Sequence, residues 1–176
     1  MKLILLILLT ACSTAPQKEP AQITVKPVPV VSLVNVLSTT NFTEKEKEKL
    51  AAYIPVMNNT IASKCFSDFL TSRNMIKTSN KTAEQVIHDL RTRQVEVHLI
   101  AYYKRFSKVH GYTYPDVNKI WLNRKYHSSA SLCSEASNLG HELSHKLGYG
   151  HNYKATQSRP FSVPYTINAA FTFCCK

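Results

Sequence analysis

Apolar positions change spacing along the chain, and the changes divide it into segments. The first apolar run, Leu3 to Leu9, is continuous and follows Lys2. From Ser13 to about Val31 the pattern is broken by Pro16, Pro20, Pro27 and Pro29. That composition suits an extended, semi-rigid tether. Thr43 and Glu46 then stand at capping-box spacing ahead of an alternating Glu/Lys run that leads into Leu50, Ala51 and Tyr53, which predicts a helix. Pro55 is expected to interrupt or restart it. Met57, Ile61, Cys65 and Phe69 recur every four residues and predict a second amphipathic helix. A third is expected after Thr82, where Gln85 repeats the cap spacing and Val86, Ile87 and Leu90 share one side.

The period then shortens. Gln94 to Tyr103 alternates Val95, Val97, Leu99 and Ala101 with Gln94, Glu96 and His98, the pattern of a strand. Val117 to Asn123 reads as another, after a turn at Tyr114-Pro115-Asp116. Leu132, Ala136, Leu139, Leu143 and Leu147 return to steps of three and four, a helix with one buried side. Pro164 opens a short terminal helix with Ile167 and Ala170 behind it. Helices and strands that are segregated rather than strictly alternating predict an α+β domain. The expected organisation is a signal segment at 1–11, a tether at 12–40 and a folded domain at 41–176.

The chain has 176 residues, 44% hydrophobic and 19% charged, enough for one packed core and too little for several domains. No apolar run approaches the roughly 20 residues that span a bilayer, which excludes a polytopic membrane protein. Lys and Arg number 22 against 11 Asp and Glu, a net charge of +11. Such a charge attracts anionic partners without selecting their chemistry. The basic residues are scattered and lack the layout of a nucleic-acid module, so no specific nucleic-acid partner is expected.

Lys2, the apolar run, and the small residues Thr10 and Ala11 have the layout of an export signal. Leu9-Thr10-Ala11-Cys12 resembles the bacterial lipobox, which implies a lipid on Cys12 and a membrane-anchored lipoprotein. Ser13 in the next position implies sorting to the outer membrane rather than the inner.

The stretch with most chemistry is LCSEASNLGHELSHKL, Leu132 to Leu147. His141 and His145 lie one helical turn apart and within about 40° of each other, so both rings can reach one ion. Glu142 is offset by about 100°, close enough to reach a water beside that ion without ligating it. Gly148 can take the left-handed conformation that ends a helix and turns the chain. The turn matters, because on a continued helix His151 would lie about 9 Å along the axis from His145. No Asp or Glu follows Glu142, so His151 is the available third ligand. Three imidazoles with an open position suit a catalytic zinc site better than a closed structural one.

The full spacing HExxHxxGxxH, over His141, Glu142, His145, Gly148 and His151, resembles the zinc signature of the metzincin metallopeptidases. The likeness covers this motif strongly and the helix before it loosely. It implies a small zincin-like domain, zinc on the three histidines, Glu142 as general base, and an edge strand, expected to be Val117 to Asn123, that holds an extended peptide. Metzincins carry a methionine in a turn below the metal; here the methionines are Met1, Met57 and Met75 only. Ser162-Val163-Pro164-Tyr165 loosely resembles the corresponding stretch, with Pro164 in the methionine position. The resemblance also gives Tyr165 a role toward the substrate oxygen, against the alternative of a packed aromatic.

The expected activity is a zinc-dependent metalloendopeptidase at the cell envelope, acting on a peptide or protein substrate. Two alternatives stand beside it: an amidase for peptide cross-links of the cell wall, and a non-catalytic envelope-binding lipoprotein with a structural metal. With Cys12 lipidated, Cys65, Cys133, Cys174 and Cys175 form an even set in a disulfide-permitting compartment. A bond between the adjacent Cys174 and Cys175 would be strained. Two pairings remain, and both tie the C-terminal segment to Cys65 and Cys133. His88, His98, His110 and His127 have no metal spacing and are expected to be surface or structural. Trp121 is a packing residue or a groove wall.

Overall fold

The computed structural model describes residues 32–152 and 154–176. The signal segment, Cys12 and most of the expected tether lie outside them. The described chain is α+β, a four-stranded sheet with its helices packed as a second layer.

The first strand, β1 (Val34–Thr40), corrects the expected domain boundary at residue 41. The proline-rich composition ends at Pro29, and every residue from Val30 to Thr40 has an N–H to offer. Val34 and Val36 then pair with the second strand rather than extending a tether. Asn41, at φ 63°, turns the chain into α1 (Glu44–Ala62). The capping box forms as expected. Thr43 N–H donates to Glu46 Oε2 at 2.7 Å, and Glu46 N–H donates to Thr43 Oγ1 at 3.3 Å.

Pro55 does not interrupt α1. It sits on the exposed side with Ala51, whose carbonyl it leaves without a helical partner, and water can satisfy that carbonyl. The break comes instead at Ser63, which ends α1 and caps α2 (Lys64–Thr71) through its hydroxyl. The expected second helix is therefore divided: Met57 and Ile61 are buried on α1, whereas on α2 Phe66 and Leu70 are buried and Cys65 and Phe69 of the expected stripe are only half-buried. Next comes α3 (Ala83–Thr92), capped by Thr82 and Gln85.

The strands β2 (Val95–Tyr102), β3 (Gly111–Thr113) and β4 (Lys119–Asn123) complete the sheet in the order β1-β2-β4-β3. β1 and β4 run parallel to β2, while β3 is antiparallel to β4. β4 is thus internal, which corrects its expected place at the edge; that place belongs to β3. Val97, Leu99, Ala101, Ile120 and Leu122 face inward and are buried.

A short turn of helix, α4 (Arg124–His127), precedes α5 (Leu132–Lys146), and a 3-10 turn, Arg159–Phe161, leads into α6 (Val163–Cys174). α5 packs between α1 and α6. Its Ala136, Leu139 and Leu143 meet a core that includes Tyr53, Met57, Ile167 and Phe171. Of the two open disulfide pairings the structure has Cys65–Cys174 and Cys133–Cys175, so the end of α6 is bonded to α2 and to the first turn of α5. Among the described residues no helix is long and apolar enough to cross a membrane.

Candidate metal centre

α5 delivers His141, Glu142 and His145, and its C-terminus delivers the third histidine. Gly148 N–H donates to His145 O and Tyr149 N–H to Ser144 O, both at 3.1 Å. This is the paired closure of a Schellman motif, and Gly148 adopts φ 95° at its centre. The chain turns back, and ring centroids of His151 come to 4.8 Å from His145 and 5.3 Å from His141. His141 and His145 are 5.1 Å apart. One ligand atom from each of the three lies within 4.8 Å of the others, so modest ring movements would bring them to the spacing of a single tetrahedral ion.

Hydrogen bonds outside the cluster orient the rings. His145 Nδ1 lies 2.8 Å from the Tyr149 carbonyl, and His151 Nδ1 lies 3.1 Å from the Asn152 carbonyl. A carbonyl only accepts, so both rings carry the proton on Nδ1 and leave Nε2 for an ion. Tyr149 is fixed in turn, its hydroxyl donating to Asp89 Oδ2 at 2.6 Å. The third orienting group is Asn168 on α6, a residue that sequence reasoning missed. Its amide lies between Ser137 Oγ and His141 Nδ1, 3.0 Å from each, with Nδ2 toward the ring. Ser137 can donate or accept, so the amide can turn by 180° and accept the Nδ1 proton. That setting frees His141 Nε2, and the Pro164 carbonyl is a further acceptor beside the ring. The period of α6 gave no sign of this contact, which depends on how two helices pack.

Burial favours the neutral imidazoles that metal binding requires. It lowers His141 to about 3, and His145 and His151 add to the effect. It also holds His145 and His151 below the usual histidine range. Glu142 is buried, and the loss of water pushes its carboxyl up to about 8 against the opposing pull of Lys146. A cation at the three histidines would draw it back toward the carboxylate.

These groups line an open cleft of about 940 Å³. Tyr165, at the start of α6, brings its ring centroid to 5.0 Å from both His141 and His151. Arg159, which the sequence did not single out, lies over the Tyr165 ring, with Cζ 4.8 Å from its centroid. β3 forms the facing wall. Gly111 permits its close approach, since a Cβ there would stand 3.1 Å from both Asn138 Nδ2 and Trp121 O. Lys146 Nζ donates to the carbonyls of Tyr114 and Val117, tying the β3–β4 turn to α5.

The other histidines stand outside the cluster, although His110 lines the far side of the same cleft. His127 is buried between Glu135 Oε2 at 2.9 Å and the Glu46 carbonyl at 3.2 Å, a structural link between α4, α5 and α1. His98 bonds Ser38, His110 stacks on Tyr126, and His88 is exposed. Trp121 is not a cleft wall; it stacks on Tyr112 at 5.0 Å on the outer side of the sheet.

No family model, curated protein or solved structure matches the chain. The donor set itself fits zinc. Three neutral imidazoles with one position left open match its preferences, and the four described cysteines are in disulfides, leaving no competing thiolate.

Proposed function

We propose that the chain is a zinc-dependent metallopeptidase that hydrolyses peptide bonds at the cell envelope. The observation that carries the reading is the convergence of His141, His145 and His151 beside the buried carboxyl of Glu142 in an open cleft. His141, His145 and His151 would hold the ion. Zinc supplies a positive charge that polarises the scissile carbonyl and acidifies water.

The remaining work falls to side chains. Glu142 takes a proton from the attacking water and passes it to the leaving amine. Tyr165 donates its hydroxyl to the oxygen that gains negative charge. The free edge of β3 pairs with the backbone of an extended substrate and presents it along the cleft. The export signal and lipobox-like segment around Cys12 support a lipid-anchored protein of the bacterial outer membrane.

Glu142→Gln tests the assignment. The variant should bind one zinc as tightly as wild type and lose hydrolysis of a mixed peptide library by at least 100-fold. A variant that still cleaves would remove Glu142 from the reaction.

A further inference from the structure

Between β2 and β3 the chain forms a loop whose tip is apolar and open to water. Phe106 is 89% exposed, Tyr103 65% and Val109 48%. The loop is not loose. Asn123, itself buried, accepts Lys104 N–H at 3.3 Å and donates to the carbonyls of Lys104 and Val109 at 3.4 and 3.1 Å. Tyr126 Oη donates to Ser107 O at 2.7 Å, and Lys125 Nζ donates to the same carbonyl at 3.3 Å. His110 stacks on Tyr126 at 3.7 Å. These bonds fix the backbone, and the phenylalanine at its summit is buried by nothing; the Arg105 guanidinium, 5.5 Å from the ring centroid, is itself on the surface of the loop.

The apolar tip is interleaved with Lys104, Arg105 and Lys108, and no Asp or Glu occurs from Val97 to Pro115. Among the described residues none of these three cations is in an ion pair. Beside the loop stands a group of rings with polar tips. Tyr102 Oη donates to Val109 O at 3.4 Å, Tyr112 stacks on Trp121 and meets Tyr102 edge-on, and Tyr114, 57% exposed, meets Trp121 edge-on. Apolar tip, cationic collar and Tyr/Trp belt correspond to the acyl region, phosphates and headgroups of a lipid leaflet. Rings this exposed, flanked by cations, suit insertion into a leaflet, which needs no matching groove.

We propose that residues 103–109 are a membrane-docking loop that inserts Phe106 into an anionic phospholipid surface, with Lys104, Arg105 and Lys108 on its phosphates. Lys108, Val109 and His110 also line the cleft, so docking brings the mouth of the cleft to the leaflet. The loop stands apart from the hydrolytic reading and does not depend on it.

The test uses the full chain carrying Trp121→Phe and Phe106→Trp, which leaves one indole, at the tip. With vesicles of phosphatidylglycerol and phosphatidylcholine brominated on the acyl chains, its emission should shift to the blue and be quenched. Adding Lys104→Gln and Arg105→Gln should raise the lipid concentration for half-quenching about 30-fold, at roughly 1 kcal/mol per cation. An unshifted, unquenched indole on chains that co-sediment with the vesicles overturns the proposal, whatever else anchors them. Equal quenching by pure phosphatidylcholine overturns it too, as does a response to soluble polyphosphate with none to vesicles.

Discussion

Two glycines of the metal motif provide a controlled experiment on the turn that brings His151 home. Gly148 and Gly150 both have open space where a Cβ would go, with nothing within 4 Å. They differ in backbone: Gly148 sits at φ 95° and Gly150 does not occupy the left-handed region. Replacing either with alanine removes unfolded-state freedom and so stabilises by about 0.4–1 kcal/mol. At Gly148 alone this gain is opposed by about 1–2 kcal/mol of left-handed strain. Because the entropic gain is common to both, the gap between the variants isolates the strain. Gly150→Ala should be neutral to slightly stabilising, and Gly148→Ala should lie about 1–2 kcal/mol below it. For a chain of this size that is a difference in Tm of roughly 2–8 °C. Urea and thermal unfolding of metal-free protein in chelator give the numbers without a zinc contribution. Equal stabilities would show that residue 148 is not left-handed in solution, and the derived path to His151 would fail with it.

Other outcomes follow from the same contacts. Asn168→Ala should weaken zinc affinity about 10- to 100-fold in chelator competition, while an unchanged affinity would remove Asn168 from the orientation of His141. Replacing Cys65 and Cys174 together by serine should cost more stability than replacing Cys133 and Cys175. The first bond spans 109 residues and the second 42, so chain entropy gives upper values of about 4.8 and 3.9 kcal/mol; the reverse order in denaturant titrations would refute that account. At acid pH the carboxyl of Asp89 matters. Burial would raise its pKa, but hydrogen bonds from Lys81 and Tyr149 and the charges of Lys81 and Arg93 outweigh it and hold the value below the usual range. A depressed carboxylate stabilises the fold fully above its unfolded pKa of about 3.9 and loses that contribution as pH falls through the folded value. Asp89→Asn should therefore flatten the decline of the urea midpoint below about pH 4, and an unaltered slope would exclude the pairing.

The parts of the molecule governed by local pattern were readable in the sequence. Thr43 with Glu46 and Thr82 with Gln85 mark the starts of α1 and α3, and the leucine steps of α5 fix which of its faces is buried. Gly148 marks the turn, because few other residues tolerate its conformation. What escaped was set by tertiary partners. β1 was obscured by its proline-rich neighbour, though the prolines stop at Pro29. β3 has only three residues, Gly-Tyr-Thr, too few to show a period. Whether β4 lies at an edge depends on how β3 folds back, which no alternation reveals. Pro55 is tolerated because its side of α1 faces water. Asn168, Arg159 and the Asp89–Tyr149 link reach the site only through helix packing, and their spacing along the chain carries no mark of it. Of the two remaining cysteine pairings, chain geometry excluded neither; the packing of α6 against α2 and α5 selects one.

The central claim is that three imidazoles converge on one ion, and zinc titration of the metal-free full chain tests it most directly. Calorimetry should show a single equivalent bound by wild type. His151→Ala should bind far more weakly, and X-ray absorption of the wild-type complex should show three imidazole nitrogens around the metal. A chain that binds no zinc, or one whose affinity is indifferent to His151, would contradict the account.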